Sequence, residues 1–281
     1  MAASQAQACS LKEVVGTIML IGAGKMGSAM LDGWLGLGLE PSRAAVIEPQ
    51  PTPEISALAA RGLKLNPDPG TVSDPAVIVI AVKPQVAAEV VPAAAPLVGD
   101  STVVVSIMAG QRLASLERAL PAGSAVVRTM PNTPAAIGRG ITVAVANGRV
   151  SPPQRHLAHR LLAAIGAVEW VEDEALLDAV TAVSGSGPAY VFLLAEVLAQ
   201  AGVAVGLPAD LSDRLARATV AGSGELLHRS PLDAAILRRN VTSPGGTTEA
   251  ALAVLMNEKG LAPLMGQAVA AATRRSRELA G

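Results

Sequence analysis

The stretch Thr17-Ile18-Met19-Leu20-Ile21-Gly22-Ala23-Gly24-Lys25-Met26-Gly27 decides the reading of this chain. Its first half is apolar on consecutive residues, as a strand buried on both faces requires. Its second half is Gly-x-Gly-x-x-Gly, and an amphipathic pattern over residues 26–37 follows. Strand, glycine loop and helix in that order form the context in which this motif binds a dinucleotide. Gly22 permits the tight turn, Gly24 lets the backbone approach a pyrophosphate, and Gly27 lets the helix pack closely on the strand. The helix start, through Ala23, Lys25 and Met26, offers N–H groups and a positive dipole to phosphate.

An acid stands where such a site needs one. Glu48 ends the next strand-like run, about twenty residues after Gly27, placed to bind a ribose 2′-hydroxyl. A carboxylate there repels a 2′-phosphate and leans the expectation toward NADH. The following loop, Pro49-Gln50-Pro51-Thr52, brings no arginine, although Arg43, Gln50 or Thr52 could receive a phosphate instead.

Outward from this motif the chain alternates. Strands are expected over residues 17–21, 45–48, 63–65, 76–82, 102–107, 125–128, 141–146 and 168–172. Helical patterns lie between them at 26–37, 54–61, 86–97 and 113–120. This alternation predicts an α/β fold with a Rossmann-like, doubly wound parallel sheet. From about Asp173 the strand-like runs stop, and helices are expected at 174–183, 189–201, 209–227, 232–239, 247–256 and 260–279. The expected organisation is a flexible tail at 1–13, a dinucleotide-binding domain at 14–172 and an all-helical domain at 173–281.

The bulk properties exclude several functions. The 281 residues carry a net charge of −1, which gives nucleic acid no phosphate-tracking surface. Trp34, Trp170, Tyr190 and Phe192 are the only aromatics, too few for base stacking. Cys9 is the single cysteine, so no internal disulfide and no cysteine-based zinc site are expected. No apolar run of eighteen residues is free of charges or breakers, so no membrane span is expected. The N-terminal residues lack a basic segment followed by an apolar one, so no secretory signal is read there.

His156 and His159 sit three apart among Arg155 and Arg160, a solvated polar helix face rather than a metal site, and His228 closes a helix. No histidine follows a strand with an acid partner, the arrangement that reduction of a carbonyl oxygen often uses. An imine nitrogen takes its proton from water more readily, so imine reduction demands less of an enzymic acid. Three polar, glycine-containing segments remain: Met130–Pro134, Ser184–Pro188 and Thr242–Thr248. The last, Thr242-Ser243-Pro244-Gly245-Gly246-Thr247-Thr248, has the composition of an anion nest before a helix, and equally of a cap with a turn.

Together these stretches resemble the pyrroline-5-carboxylate reductase family. The resemblance rests on residues 21–27 (IGAGKMG), 81–84 (AVKP), 105–110 (VSIMAG), 128–134 (RTMPNTP), 179–190 (AVTAVSGSGPAY) and 240–248 (NVTSPGGTT), in family order. It implies hydride transfer from NADPH or NADH to C5 of 1-pyrroline-5-carboxylate, giving L-proline; the single cysteine fits a reducing cytoplasm. It also implies that the helical domain interlocks with a partner's to form a homodimer, often assembled further into a ring-like decamer. Gly22 to Gly27, Val82, Lys83, Pro84 and Ala109 would line the cofactor, and Asn240 would reach it from the helical domain. Ser243, Gly246, Thr247 and Thr248 would hold the substrate carboxylate, with the Thr248 hydroxyl near the ring nitrogen as the catalytic candidate. Glu174 matches an acidic position near the family's substrate site. One stretch departs: where relatives carry a Glu-x-His-Pro-Gly-like turn, this chain has His228-Arg229-Ser230-Pro231-Leu232-Asp233, with no matching acid and an extra residue.

Two other readings share parts of this pattern. A β-hydroxy-acid dehydrogenase would need a catalytic lysine on a C-terminal helix, and the only lysine after Lys83 is Lys259, just before Gly260. A non-catalytic dinucleotide-sensing protein would not need the ordered hydroxyl and glycine loop at 242–248.

Overall fold

The computed structural model describes residues 10–279 apart from Pro69 and Ser73. Its strands are β1 (Ile18–Ile21), β2 (Ala44–Ile47), β3 (Lys64–Leu65), β4 (Val77–Ile80), β5 (Val103–Ser106), β6 (Ala125–Met130), β7 (Gly140–Ala146) and β8 (Gly166–Trp170). They form one 8-stranded sheet in the order β3-β2-β1-β4-β5-β6-β7-β8. The helices among them are α1 (Lys25–Gly36), α2 (Pro53–Ala59), α3 (Ala87–Ala94), α4 (Leu113–Ala119) and α5 (Pro152–Ala163). Each expected strand is present, with ends moved by a residue or two.

The consecutive apolar residues of the strands face alternate sides, and helices cover both. Ile18, Leu20, Val77, Val79, Val103 and Val105 pack with Met30, Leu31 and Trp34 of α1 and Leu161 and Leu162 of α5. Met19, Ile21, Ile78, Ile80 and Val104 pack on the other face with Ala87, Val91 and Leu116. Trp34 is fixed further by its indole N–H, which donates to the Leu161 carbonyl at 2.9 Å. Burying each large aliphatic side chain contributes roughly 1.5–3 kcal/mol before the entropy of ordering it is subtracted.

The sheet is not wholly parallel. β7 runs antiparallel to β6, pairing Met130 with Val143 and Val127 with Ala146. The connection between Met130 and Gly140 is too short for the crossover that a parallel neighbour needs, so the chain doubles back. β8 then pairs parallel with β7 after α5 crosses over.

The tail expected at 1–13 lies, through residue 9, outside the described residues. Of residues 10–13, expected to belong to it, Leu11 is buried instead, and its N–H donates to the Leu37 carbonyl at 2.9 Å, while Lys12 and Glu13 are exposed. An apolar side chain beside the end of α1 gains more from burial than a free tail would.

After β8 come α6 (Leu176–Val180), a π-helical turn (Thr181–Gly185), α7 (Gly187–Ala204), α8 (Ala209–Arg229), α9 (Ala234–Asn240), α10 (Thr247–Leu255) and α11 (Leu261–Leu279). The contacts divide the chain into two compact units. One reaches to Gly185 and resumes at Thr273; the other is Ser186–Ala272. The expected boundary at Asp173 marks the end of the strands, but α6 stays with the sheet because Leu177 is buried against Val143 and Val145. The last turns of α11 belong there too, where the Ser276 hydroxyl donates to Asp178 Oδ1 at 2.7 Å.

In the second unit α7 and α8 form a helical hairpin turned at Gly206, whose φ is 102°. The buried Ser212 hydroxyl donates across it to the Ala199 carbonyl at 2.6 Å. Much of the hairpin's apolar surface is exposed, including Phe192, Leu193, Leu194 and Leu198. The helical run Leu176–Ala204 is long and apolar enough to cross a membrane by length and composition alone, against the expectation from charges and breakers. It spans the π-helical turn and the Ser184–Pro188 segment.

Candidate active site

The cofactor candidates of the first unit gather at the C-terminal edge of the sheet. There β1 has β2 on one side and β4 on the other, so the direction of winding reverses, the position where open α/β sheets bind ligands. The crevice is closed at its base by backbone: Gly22 N–H donates to the Ile47 carbonyl at 2.8 Å, and Ala81 N–H to the Ile21 carbonyl at 2.7 Å.

The three glycines answer to different demands. Gly22 has φ 91°, and a Cβ on it would lie 2.8 Å from both the Ala81 carbonyl oxygen and Val82 Cγ1. At Gly27 a Cβ would run into the Gly22 carbonyl. Gly24 is the contrast: its φ is −67°, and a Cβ there meets no atom of the chain within 4 Å. Neither conformation nor internal packing excludes a side chain at Gly24. The glycine leaves open the space where a pyrophosphate would approach, and in this respect the loop fits a dinucleotide. Gly24 is also the N-cap of α1 and supplies no side chain to satisfy its first N–H groups. The Ser28 hydroxyl donates to the Ala23 carbonyl at 2.7 Å and ties the loop back to the helix.

Glu48 follows β2, and its carboxylate reaches the loop. Oε2 accepts from Ala23 N–H at 2.7 Å and Oε1 from Gln50 N–H at 3.0 Å. Val82 and exposed Lys83 follow β4, with Pro84 opening a short 3-10 turn, and exposed Ala109 follows β5 between buried Met108 and Gly110. All the first unit's cofactor candidates thus lie past the C-terminal ends of β1, β2, β4 and β5.

Glu174 has a different surrounding. Its Oε1 accepts from Arg128 Nη1 at 2.7 Å and from Leu113 N–H at 2.8 Å, joining β6 to the start of α4. Arg128 is buried on β6 while the Glu174 side chain is partly exposed, so the carboxylate compensates a guanidinium largely removed from water. Sequence reasoning did not single out Asn132 for this: its Nδ2 donates to the Ser184 carbonyl at 3.1 Å, and its Oδ1 accepts from Ile141 N–H at 2.9 Å. Two motifs, Met130–Pro134 and Ser184–Pro188, are therefore in contact through one side chain. A π-helical turn such as Thr181–Gly185 is a frequent mark of a functional region.

In the second unit, Asn240 closes α9 and Gly246 is the N-cap of α10. Between them Gly245 takes φ 68°, and Gly246 N–H donates to the Ser243 carbonyl at 3.0 Å, closing a turn. Gly245 N–H donates to Glu249 Oε2 at 2.7 Å, a contact that the composition of the loop did not suggest. A glutamate at the third helical position reaching back past the cap is the signal that could have found it. Thr247 and Thr248 then supply the helix's first N–H groups, which have no intrahelical acceptor. The structure so places Ser243, Gly246, Thr247 and Thr248 around one helix start, with Asn240 at the preceding helix end.

A cleft of about 490 Å³ lies elsewhere, lined by Gly99, Ser101, Thr102, Ser124, Arg149 and Gln154. It borders the N-terminal ends of β5 and β6, opposite the edge that carries the glycine loop, and takes no part in this site.

A doubly wound sheet with an open glycine loop at its switch point and an acid after β2, followed in the chain by a helical unit, defines a dinucleotide-dependent oxidoreductase. Residues 17–110 match a family described as NADP oxidoreductase, coenzyme F420-dependent, and residues 174–279 match pyrroline-5-carboxylate reductase dimerisation. The pyrroline-5-carboxylate reductase of Pseudomonas aeruginosa is 41% identical over 94% of this chain and 96% of its own length. That of Glycine max is 38% identical over 94% of this chain and 96% of its own. Among solved structures, a pyrroline-5-carboxylate reductase from Coxiella burnetii superimposes with a TM-score of 0.87 at 32% identity, covering 95% of this chain and all (100%) of that one. The Plasmodium falciparum pyrroline carboxylate reductase with NADP bound gives 0.77 at 28% identity, over 95% and 99% of the two chains. The chain belongs to the pyrroline-5-carboxylate reductase family.

Proposed function

We infer that this chain is a pyrroline-5-carboxylate reductase, reducing the C5=N bond of 1-pyrroline-5-carboxylate to give L-proline. The observation that carries this reading is one chain holding both the glycine loop at the sheet's switch point and the Ser243–Thr248 helix start, with family likeness along nearly its whole length. Bound NADPH or NADH supplies the hydride.

The chain's own part is binding, orientation and exclusion. Gly22 to Gly27 and the start of α1 receive the pyrophosphate through N–H groups and the helix dipole. Val82, Lys83, Pro84 and Ala109 line the same edge, with Lys83 adding a positive charge, and Asn240 reaches the cofactor from the second unit. Glu48 binds the adenine ribose and favours NADH by repelling a 2′-phosphate. The similar P. falciparum pyrroline carboxylate reductase holds NADP, so a 2′-phosphate is accommodated in at least that protein.

Ser243, Gly246 and the N–H groups of Thr247 and Thr248 receive the substrate carboxylate. The Thr248 hydroxyl faces the ring nitrogen, where it donates to or accepts from the nitrogen as an iminium becomes an amine. Glu174 serves the substrate indirectly, by holding Arg128 and the start of α4.

The exposed apolar surface of α7 and α8 is covered by the same surface of a second copy, giving a homodimer that a larger ring can extend. This burial, rather than lipid, accounts for the apolar run Leu176–Ala204, and the enzyme works in the cytoplasm. The β-hydroxy-acid dehydrogenase reading loses ground because Lys259 lies in the turn between α10 and α11, off any helix.

Steady-state oxidation of NADH and NADPH on addition of pyrroline-5-carboxylate, with amino-acid analysis of the product, tests the assignment. Proline is expected. Its absence from protein that still binds the cofactor overturns it.

A further inference from the structure

The Glu48 backbone lies two residues past the end of the β2–β3 ladder, whose last pair is Val46 with Leu65. Its two polar groups are nevertheless both held, by a single side chain. Glu48 N–H donates to Asn66 Oδ1 at 2.8 Å, and Asn66 Nδ2 donates to the Glu48 carbonyl at 3.0 Å. Asn66 is itself pinned, since its N–H donates to the Val46 carbonyl at 2.8 Å. Its φ of 46° is left-handed, a conformation that asparagine tolerates better than most residues. In that conformation the chain leaves β3 while the side-chain amide takes the place of the next peptide of the strand.

We propose that Asn66 is the positioning residue for Glu48 and so a determinant of cofactor choice. The inference rests on the reading of Glu48 as the ribose acid and adds to it the part that holds it. A carboxylate discriminates against a 2′-phosphate only if it cannot turn away. With its backbone clamped by Asn66 and its oxygens on Ala23 N–H and Gln50 N–H, the Glu48 side chain is fixed from both ends. Releasing the clamp lets the carboxylate swing from an incoming phosphate, which lowers the cost of NADPH, while the ribose hydroxyls lose a pre-oriented acceptor, which raises the KM for NADH.

The test is a double-mutant cycle of Asn66→Gly and Glu48→Ala on the full chain, read as the kcat/KM ratio of NADH to NADPH with pyrroline-5-carboxylate. Glycine keeps the left-handed backbone and removes only the amide. Both cofactors are measured on one preparation, so the ratio does not depend on the folded fraction. Asn66→Gly should lower the ratio by about threefold or more, the size of a net hydrogen bond, through KM rather than kcat. In the Glu48→Ala background the same change should leave the ratio unaltered. An equal shift in both backgrounds, or none in the parent, overturns the role of Asn66. If Glu48→Ala itself leaves the ratio unchanged, the reading of Glu48 fails first, and the proposal with it. Should Asn66→Gly yield no folded protein, Asn66→Asp, which retains the acceptor and loses the donor, is read in the same cycle by the same criterion.

Discussion

Glu48 Oε2 accepts a hydrogen bond from the backbone N–H of Ala23 at 2.7 Å, so the acid after β2 is bonded directly to the loop after β1. The two residues lie 25 positions apart in sequence, and the parallel pairing of Ile21 with Ile47 brings them together. Glu48→Ala should shift preference toward NADPH, with the kcat/KM ratio moving by about tenfold, or about 1.4 kcal/mol. Steady-state kinetics with both cofactors decide it, and an unmoved ratio would show that Glu48 does not face the ribose.

Gly24 separates stability from binding. Because a Cβ there meets no atom of the chain within 4 Å and φ is ordinary, Gly24→Ala should leave thermal stability within about 0.5 kcal/mol of the parent. Dinucleotide affinity should nonetheless fall by about tenfold or more, since the methyl group enters the pyrophosphate's space. Fluorescence titration with NADH beside a thermal melt reads both quantities. An unchanged Kd would mean that the loop does not approach a phosphate at this residue.

Thr248 tests the chemistry. Misplacing the reacting carbon by about 1 Å can cost around a hundredfold, so Thr248→Ala should lower kcat/KM for the imine by one to two orders of magnitude, roughly 1.4–2.8 kcal/mol. Thr248→Ser keeps the hydroxyl and should recover most of the loss. Cofactor affinity should barely change, because the glycine loop belongs to the other unit. A defect confined to cofactor binding would remove Thr248 from the substrate site.

Glu174 offers a choice between substrate contact and scaffold. Its carboxylate already accepts from Arg128 and Leu113, and Glu174→Ala strands the buried Arg128 guanidinium. The expected loss is about 2 kcal/mol, below that of a fully buried pair because the Glu174 side chain is 27% exposed. Differential scanning fluorimetry should record a lower Tm, with the KM for the imine within about twofold. A tenfold rise in KM at unchanged Tm would instead put Glu174 against the substrate.

Much of this fold was legible because burial on two faces writes itself into consecutive apolar residues such as Val77–Ile80. The glycine loop was legible because each glycine answers a separate steric demand. The reversed direction of β7 could have been read too: between Met130 and Gly140 there is too little chain for a crossover. Asn66 could not be recognised in the same way. Asn66-Pro67 reads only as a turn, and its role depends on β3 lying beside β2. Glu249 and Asn132 escaped for a related reason, since both act on backbone groups, which the sequence does not distinguish from one residue to the next.

In the proposed homodimer, the hairpin of α7 and α8 would tie folding to mass action. Phe192, Leu193, Leu194 and Leu198 stand open in a lone chain, so under the proposed pairing the water they expel would be part of what holds the native state together. For such a protein Tm is not a constant of the sequence but climbs with protein concentration. In the proposed homodimer, dilution would strip the cover from these side chains, and an assay run far below the dissociation constant would report a weaker enzyme than a concentrated one.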